Sequence, residues 1–199
     1  MRIAKIISAV LHPIVMPIIG VLVFLIYTPI AISKEQQYAL LGIVFLATYV
    51  IPLVLLVCLK FFGRASTYDL PLIHERKLPV IVMVVLFEVL ASICFKSIVF
   101  RELSWLFHGT ALSLVVVYLL FFLKTKTSLH VLSLGNATGF FLLFGSFYGM
   151  ALFEVVAGCV LLAGILGSAR LHLKAHTPLE VYFGFFIGLG SQLCLYALL

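Results

Sequence analysis

Long uncharged runs separated by short polar stretches organise the chain. Seven apolar segments can be marked, at about 8–32, 38–62, 78–97, 105–123, 130–149, 151–167 and 179–198. Most approach the roughly 20 residues with which a helix crosses the hydrocarbon of a bilayer. Apolar residues follow one another almost without a break, as over 112–123, where Ser113 is the one interruption, and the in–out alternation of a barrel strand is absent. Lipid offers no partners to backbone N–H and C=O groups, so spans of this kind are helical. The pattern predicts an all-α, polytopic membrane helix bundle of about seven transmembrane segments. Residues 1–199 read as a single integral membrane domain without a linker or soluble domain. The first segment holds His12, Pro13 and Pro17, which predicts a kinked entry. Its basic start and apolar run resemble a signal peptide, but no small-x-small cleavage site follows, so a retained first span is expected.

Composition narrows the picture. Hydrophobic residues make up 64% of the chain and charged residues 10%, with a mean hydropathy of +1.29. A soluble domain carries about 25% charged residues. On such a domain a net charge of +6 would point to nucleic acid. Here the basic residues cluster at segment ends, where lipid headgroups and the positive-inside bias account for them. Membrane lipids, not nucleic acid, are the expected partners, and nothing in the pattern fixes an oligomeric state. Cys58, Cys94, Cys159 and Cys194 lie in apolar runs without CxxC spacing and read as packing residues. Neither a disulfide framework nor a cofactor or metal site follows from them. The sequon at Asn136 and Thr138 falls inside the fifth segment, out of reach of glycosylation. Glu88 lies near the middle of the third, where an ionisable group is either functional or hydrogen-bonded to a neighbouring helix. Gly184, Gly188 and Gly190 give the small-residue spacing of closely packed helices.

The remaining polar residues fall in three loops, and counting spans puts all three on one membrane face. Two segments separate the Arg76 loop from the His130 loop, and two more separate His130 from 170–180. The opposite face carries Lys34, Lys96 and Arg101, three of the 13 basic residues. The last loop gathers Arg170, His172, Lys174, His176 and Glu180. Thr177, Pro178 and Glu180 form a helix start, with Thr as N-cap, Pro at the first position and Glu closing a capping box. The same geometry lets the Glu180 carboxylate accept the Nδ1–H of His176, leaving Nε2 to attack or to take a proton. His172, His176 and Glu180 are spaced i, i+4, i+8, which on one continuous helix would offer a zinc face. Pro178 predicts a break at Thr177 that separates them. Arg170 offers a planar fork to phosphate oxygens, or an anchor for lipid headgroups. Ser128 and His130 put a second hydroxyl and imidazole at a helix start beside Lys124 and Lys126, and the first loop adds Arg76 and Lys77. Three converging basic clusters with two boundary histidines describe a phosphate site.

Ala169–Arg170–x5–His176–x3–Glu180, followed by Val181 and Gly184, resembles the third signature of the PAP2 phosphatidic acid phosphatase superfamily, Ser-Arg-x5-His-x3-Asp. Thr127–Ser128–Leu129–His130 resembles its second, Pro-Ser-Gly-His. Glu75–Arg76–Lys77–Leu78–Pro79 stands where the first, Lys-x6-Arg-Pro, is expected, and the likeness covers about residues 76–190. The resemblance implies a six-span core plus one further segment, and a membrane lipid phosphatase that uses no metal or cofactor. In it His176 is the nucleophile that forms a phosphohistidine, Glu180 orients it, and His130 is the general acid. Arg170, Ser128 and Arg76 hold the phosphoryl oxygens, with Lys77, Lys126 or Lys174 supplying charge that Asp69, seven before Arg76, does not. The implied substrate is a lipid phosphate or polyprenyl diphosphate whose chains stay in the bilayer.

Glu180 stands for Asp, Leu129 for Gly and Ala169 for Ser, and no Pro directly follows Arg76. These departures leave a catalytically silent, headgroup-binding relative as the first alternative. A small transporter built on Glu88 and the glycine-rich spans is the second. The positive-inside bias would turn the basic face to the cytoplasm, whereas the resemblance in bacteria places it outside. Phosphate binding would account for most of the basic residues on that face, so a site on the extracytoplasmic face of the cell (inner) membrane is expected.

Overall fold

The structure, a computed structural model, describes residues 1–68, 70 and 72–198, with the side chains at 196 and 198 excepted. Asp69 lies outside them. All regular structure among the described residues is helical: α1 (Arg2–Val10), α2 (Met16–Tyr27), α3 (Lys34–Phe45), α4 (Ile51–Phe61), α5 (Ile73–Lys96), α6 (Leu103–Phe122), α7 (Leu129–Tyr148), α8 (Phe153–His172) and α9 (Pro178–Leu198). Among the described residues six helices are long and apolar enough to cross a membrane, α3 and α4 counting as one over Lys34–Phe61. The chain is a multi-pass helical membrane protein.

The segment expected at 8–32 is divided. α1 begins at Arg2, and α2 does not start until Met16. Pro13 has no N–H to donate and pushes His12 away from helical geometry, so the expected kink is a full break. α2 has 12 residues, about 18 Å of helix, against roughly 30 Å of bilayer hydrocarbon.

Two other ends move for a common reason. α5 starts at Ile73 rather than 78, and α8 runs to His172 rather than 167. The added turns carry charges whose heads find partners in the protein. The Glu75 carboxylate accepts the N–H of Ser66 at 2.7 Å and of Leu72 at 3.2 Å, while Arg76 Nε donates to the Leu70 carbonyl at 2.6 Å. Polarity that reads as loop in the sequence thus ties Ser66, Leu70 and Leu72 down onto the helix.

Pro52 is absorbed differently. Residues Leu46–Val50 take π-helical geometry, and the Ile51 N–H reaches back five residues to the Leu46 carbonyl. The wider turn accommodates a proline that would otherwise crowd the turn before it.

α7 is the axis of the bundle, packed on α6, α8 and α9, while α5 pairs with α6. Glycines set the α7–α9 approach. A Cβ on Gly184 would lie 2.6 Å from the Ser128 carbonyl oxygen, and one on Gly188 would run into the Leu132 carbonyl. Both glycines therefore serve packing, as expected, whereas Gly190 faces open space. Asn136 is buried, donates to Ser113 Oγ at 2.9 Å, and accepts from Gln192 Nε2 at 3.3 Å. A side chain so held joins α6, α7 and α9 and offers nothing to a glycosylating enzyme. Glu88 takes the structural option: its Oε2 lies 2.9 Å from His108 Nδ1 on α6.

Candidate functional site

A cavity of about 210 Å³ runs down the bundle between α2, α4, α5, α6 and α7. At one end it is lined by Arg76, His130, Arg170 and His176, joined by His12 and Tyr68. Farther in, its wall is Met83, Phe87, Leu106, Phe107 and Leu114. From Arg76 to Phe87 is eleven residues of α5, about 16 Å along the axis. One cavity therefore has a cationic, imidazole-bearing mouth and an apolar interior reaching roughly halfway through a bilayer.

Each mouth residue is placed by an identifiable local device. α8 ends where Lys174 takes a left-handed conformation (φ +54°) and the Ala175 N–H returns to the Arg170 carbonyl at 3.1 Å. This is the termination that glycine usually provides, and it turns the chain so that His176 reaches the cavity wall. The predicted break precedes Pro178. Thr177 and Glu180 form the capping box, with Glu180 N–H to Thr177 Oγ1 and Thr177 N–H to Glu180 Oε2 both at 3.4 Å.

The same Glu180 Oε2 lies 2.7 Å from His176 Nδ1. An ionised carboxylate only accepts, so Nδ1 carries the proton and Nε2 keeps a lone pair. The His176 side chain is 2% exposed. Burial, first, and the positive charges of Arg170 and Arg76 hold its pKa below the usual histidine value, against the opposing pull of Glu180. The imidazole is therefore neutral at neutral pH.

His130 opens α7, one residue beyond its N-terminal Leu129. Its Nε2 lies 3.4 Å from Ser8 Oγ, and its ring meets that of His12 edge-on at 4.9 Å. Ser8 Oγ also accepts from Arg170 Nη1 at 2.7 Å. Ser128 is fully buried; its N–H donates to the Glu180 carbonyl at 3.0 Å and ties the starts of α7 and α9 together. No hydrogen-bond partner lies near its hydroxyl among the described residues.

Of the residues expected at a phosphate site, Arg76, His130, Arg170 and His176 thus share one cavity, with Glu180 bound to His176. Ser128 and the three lysines do not line it. Lys77 Nζ lies 5.1 Å from the Phe122 ring centroid, Lys174 is an exposed cap, and Lys126 is half-buried on the 123–128 loop. Among the described residues, the fixed cations on the cavity wall are both arginines. Among the described residues no three His, Cys, Asp or Glu side chains come close enough to hold a metal ion, and His172 is exposed at the end of α8.

Sequence reasoning missed Ser8 and the role of His12. The histidine has a signal, an ionisable group inside an apolar run, but Pro13 beside it already accounts for a polar kink at that position. Ser8 had none, because its partners are 122 and 162 residues away. No protein-family model, curated protein or solved structure matches the chain.

Proposed function

We propose that the chain is a PAP2-like membrane lipid phosphatase, a six-helix core to which α1 and α2 add a broken seventh segment. It removes phosphate from a lipid phosphate or polyprenyl diphosphate. The observation that carries this is the single cavity whose mouth holds His176, His130, Arg170 and Arg76 and whose interior is apolar. A phosphate fits the mouth, and an apolar chain fits the rest; a water-soluble phosphate ester would have no use for the interior.

In the proposed reaction His176 Nε2 attacks phosphorus. The P–N bond forms as the P–O bond to the lipid breaks, and His130 gives its proton to the departing oxygen. Water then attacks the phosphohistidine, losing a proton to His130, and inorganic phosphate leaves. Arg170 and Arg76 offset the charge on the equatorial oxygens, the main demand of a loose phosphoryl-transfer transition state. Glu180 holds the neutral imidazole in the tautomer that leaves the attacking nitrogen its lone pair, aims the ring, and stabilises it as charge develops on it.

The test is phosphate release by the purified chain in detergent, with EDTA present, from phosphatidic acid, phosphatidylglycerophosphate and a polyprenyl diphosphate. Release from at least one is expected. Headgroup binding without turnover on any of them would favour the silent relative instead. Glu88 lines no part of the cavity, which leaves transport without structural support. We further place the site on the extracytoplasmic face of the inner membrane. Labelling of exposed Lys174→Cys from outside intact cells tests that, whereas buried Ser128 would be a poor probe.

A pH profile follows from His176. The nucleophile must be neutral, so activity falls as pH drops through its pKa. Because that pKa is lowered, the acid limb of kcat/KM is expected below the ordinary histidine value of about 6.5. Glu180→Gln removes the negative charge that favours the imidazolium. It should move the limb to lower pH still while reducing the rate; an upward move would contradict the assigned pairing.

A further inference from the structure

α1 has no part in the chemistry of this reading. Arg2 and Lys5 lie three residues apart on one helical face, while Ile3, Ile6 and Val10 are 75%, 62% and 60% exposed on the next. Ala4 and Ser8, four apart, are buried against α8. Basic and apolar faces side by side make a helix that lies in the membrane interface, its apolar face in lipid and its cations among headgroups. It is there that Ser8 enters the site.

The hydroxyl of Ser8 occupies an unusual position. One oxygen accepts from Arg170 Nη1 at 2.7 Å and lies 3.4 Å from His130 Nε2. These are the outer nitrogens of the two side chains, the atoms with which they would grip a phosphoryl oxygen and protonate a leaving oxygen. Ser8 is buried and does not itself line the cavity, yet it occupies both atoms from the α1 side. Its side chain is neutral and small, and its contact to the guanidinium is one that an anion's oxygen can replace with a charge-assisted bond.

We infer that Ser8 is a built-in stand-in for a substrate oxygen, and that α1 competes with the phosphate for Arg170 and His130. The entering anion displaces the hydroxyl, and α1 rocks away from α8 on its seat in the interface. The ligand class is a tetrahedral oxyanion, the phosphoryl group of a lipid or the inorganic phosphate left after its release. The inference rests on the phosphatase reading for the source of the anion, but not for the competition itself.

Orthovanadate is a suitable probe because it binds without turnover. Thermal unfolding of the full chain in detergent, titrated with orthovanadate, gives the affinity. A hydrogen bond to a charged donor, surrendered on anion entry, corresponds to about a tenfold loss of affinity. Ser8→Ala is therefore expected to bind orthovanadate about tenfold more tightly than the native chain, while Ser8→Thr, which keeps the hydroxyl, stays near native. A second reading leaves Ser8 untouched. With the four cysteines replaced by alanine, a nitroxide on Val10→Cys should become more mobile when orthovanadate is added.

Unchanged or weaker binding by Ser8→Ala, or a label indifferent to orthovanadate, overturns the inference. If lipid phosphate is hydrolysed but Ser8→Ala binds no more tightly, the competition fails and the phosphatase reading stands. Tighter binding without turnover on any substrate does the reverse. No orthovanadate binding by any variant sinks both.

Discussion

His176→Ala is expected to abolish phosphate release, by roughly 10⁴-fold or more, because it removes the atom that forms the covalent intermediate. The surrounding architecture should survive the change. His176 sits in the 173–177 connection, outside both α8 and α9, and its one described hydrogen bond goes to a carboxylate that also holds the Thr177 N–H. The variant should therefore unfold near the native temperature and still bind orthovanadate through Arg76 and Arg170. His130→Ala has a different signature under the proposed mechanism. A general acid matters in proportion to how poor the leaving group is. With a lipid alkoxide His130→Ala should be severely impaired; with a nitrophenyl phosphate, whose leaving group needs no proton, it should be impaired much less. His176→Ala should be equally dead on both. Similar losses for the two variants on both substrates would mean that the histidine roles are wrongly divided. Substantial activity in His176→Ala would remove the covalent step altogether.

The apolar pattern made most of the fold legible because lipid leaves the backbone few choices. Every segment from position 38 onward is present as a helix, with ends a few residues away. The misplaced ends occur where charged residues are satisfied by the protein itself: Glu75 by two backbone N–H groups, Arg76 by the Leu70 carbonyl, Arg170 by Ser8. A linear reading treats such residues as solvated and stops the helix too early. The N-terminus failed for another reason. Hydropathy sums over 8–32 without noticing that Pro13 and Pro29 leave room between them for only the 12 residues of α2.

At the site, spacing alone brought His176 to Glu180, because a capping box fixes local geometry whatever the rest of the chain does. The convergence of Arg76, His130 and Arg170 was argued from sidedness, and they line one cavity. The lysines were placed by the same argument, yet they lie elsewhere. Sidedness fixes depth in the membrane but not direction around the bundle axis. Lys77 is one residue from Arg76, and one helical step of about 100° is enough to turn it toward Phe122. Ser8 was out of reach in principle, since only three-dimensional packing sets it beside Arg170.

That dependence on packing leads to the largest expected effect on stability, at Gly188. An alanine Cβ there would run into the Leu132 carbonyl oxygen and lie 2.8 Å from the Asn136 nitrogen. Both obstacles are α7 backbone, so no side chain can swing aside and α9 must retreat. Gly188→Ala should cost about 1–3 kcal/mol, the range for overpacking a tight contact. Gly190 is the internal control. It lies on the same helix with nothing within 4 Å, so Gly190→Ala should gain up to about 1 kcal/mol from helix propensity alone. Thermal unfolding in detergent should show the two midpoints moving in opposite directions; a common direction would refute the close α7–α9 approach. Activity carries a second signal. α9 also bears Glu180, whose carbonyl accepts from Ser128 N–H and whose carboxylate holds His176. A retreat of α9 pulls that carboxylate away from the mouth, so Gly188→Ala should lose phosphate release well below its unfolding temperature, while Gly190→Ala keeps it.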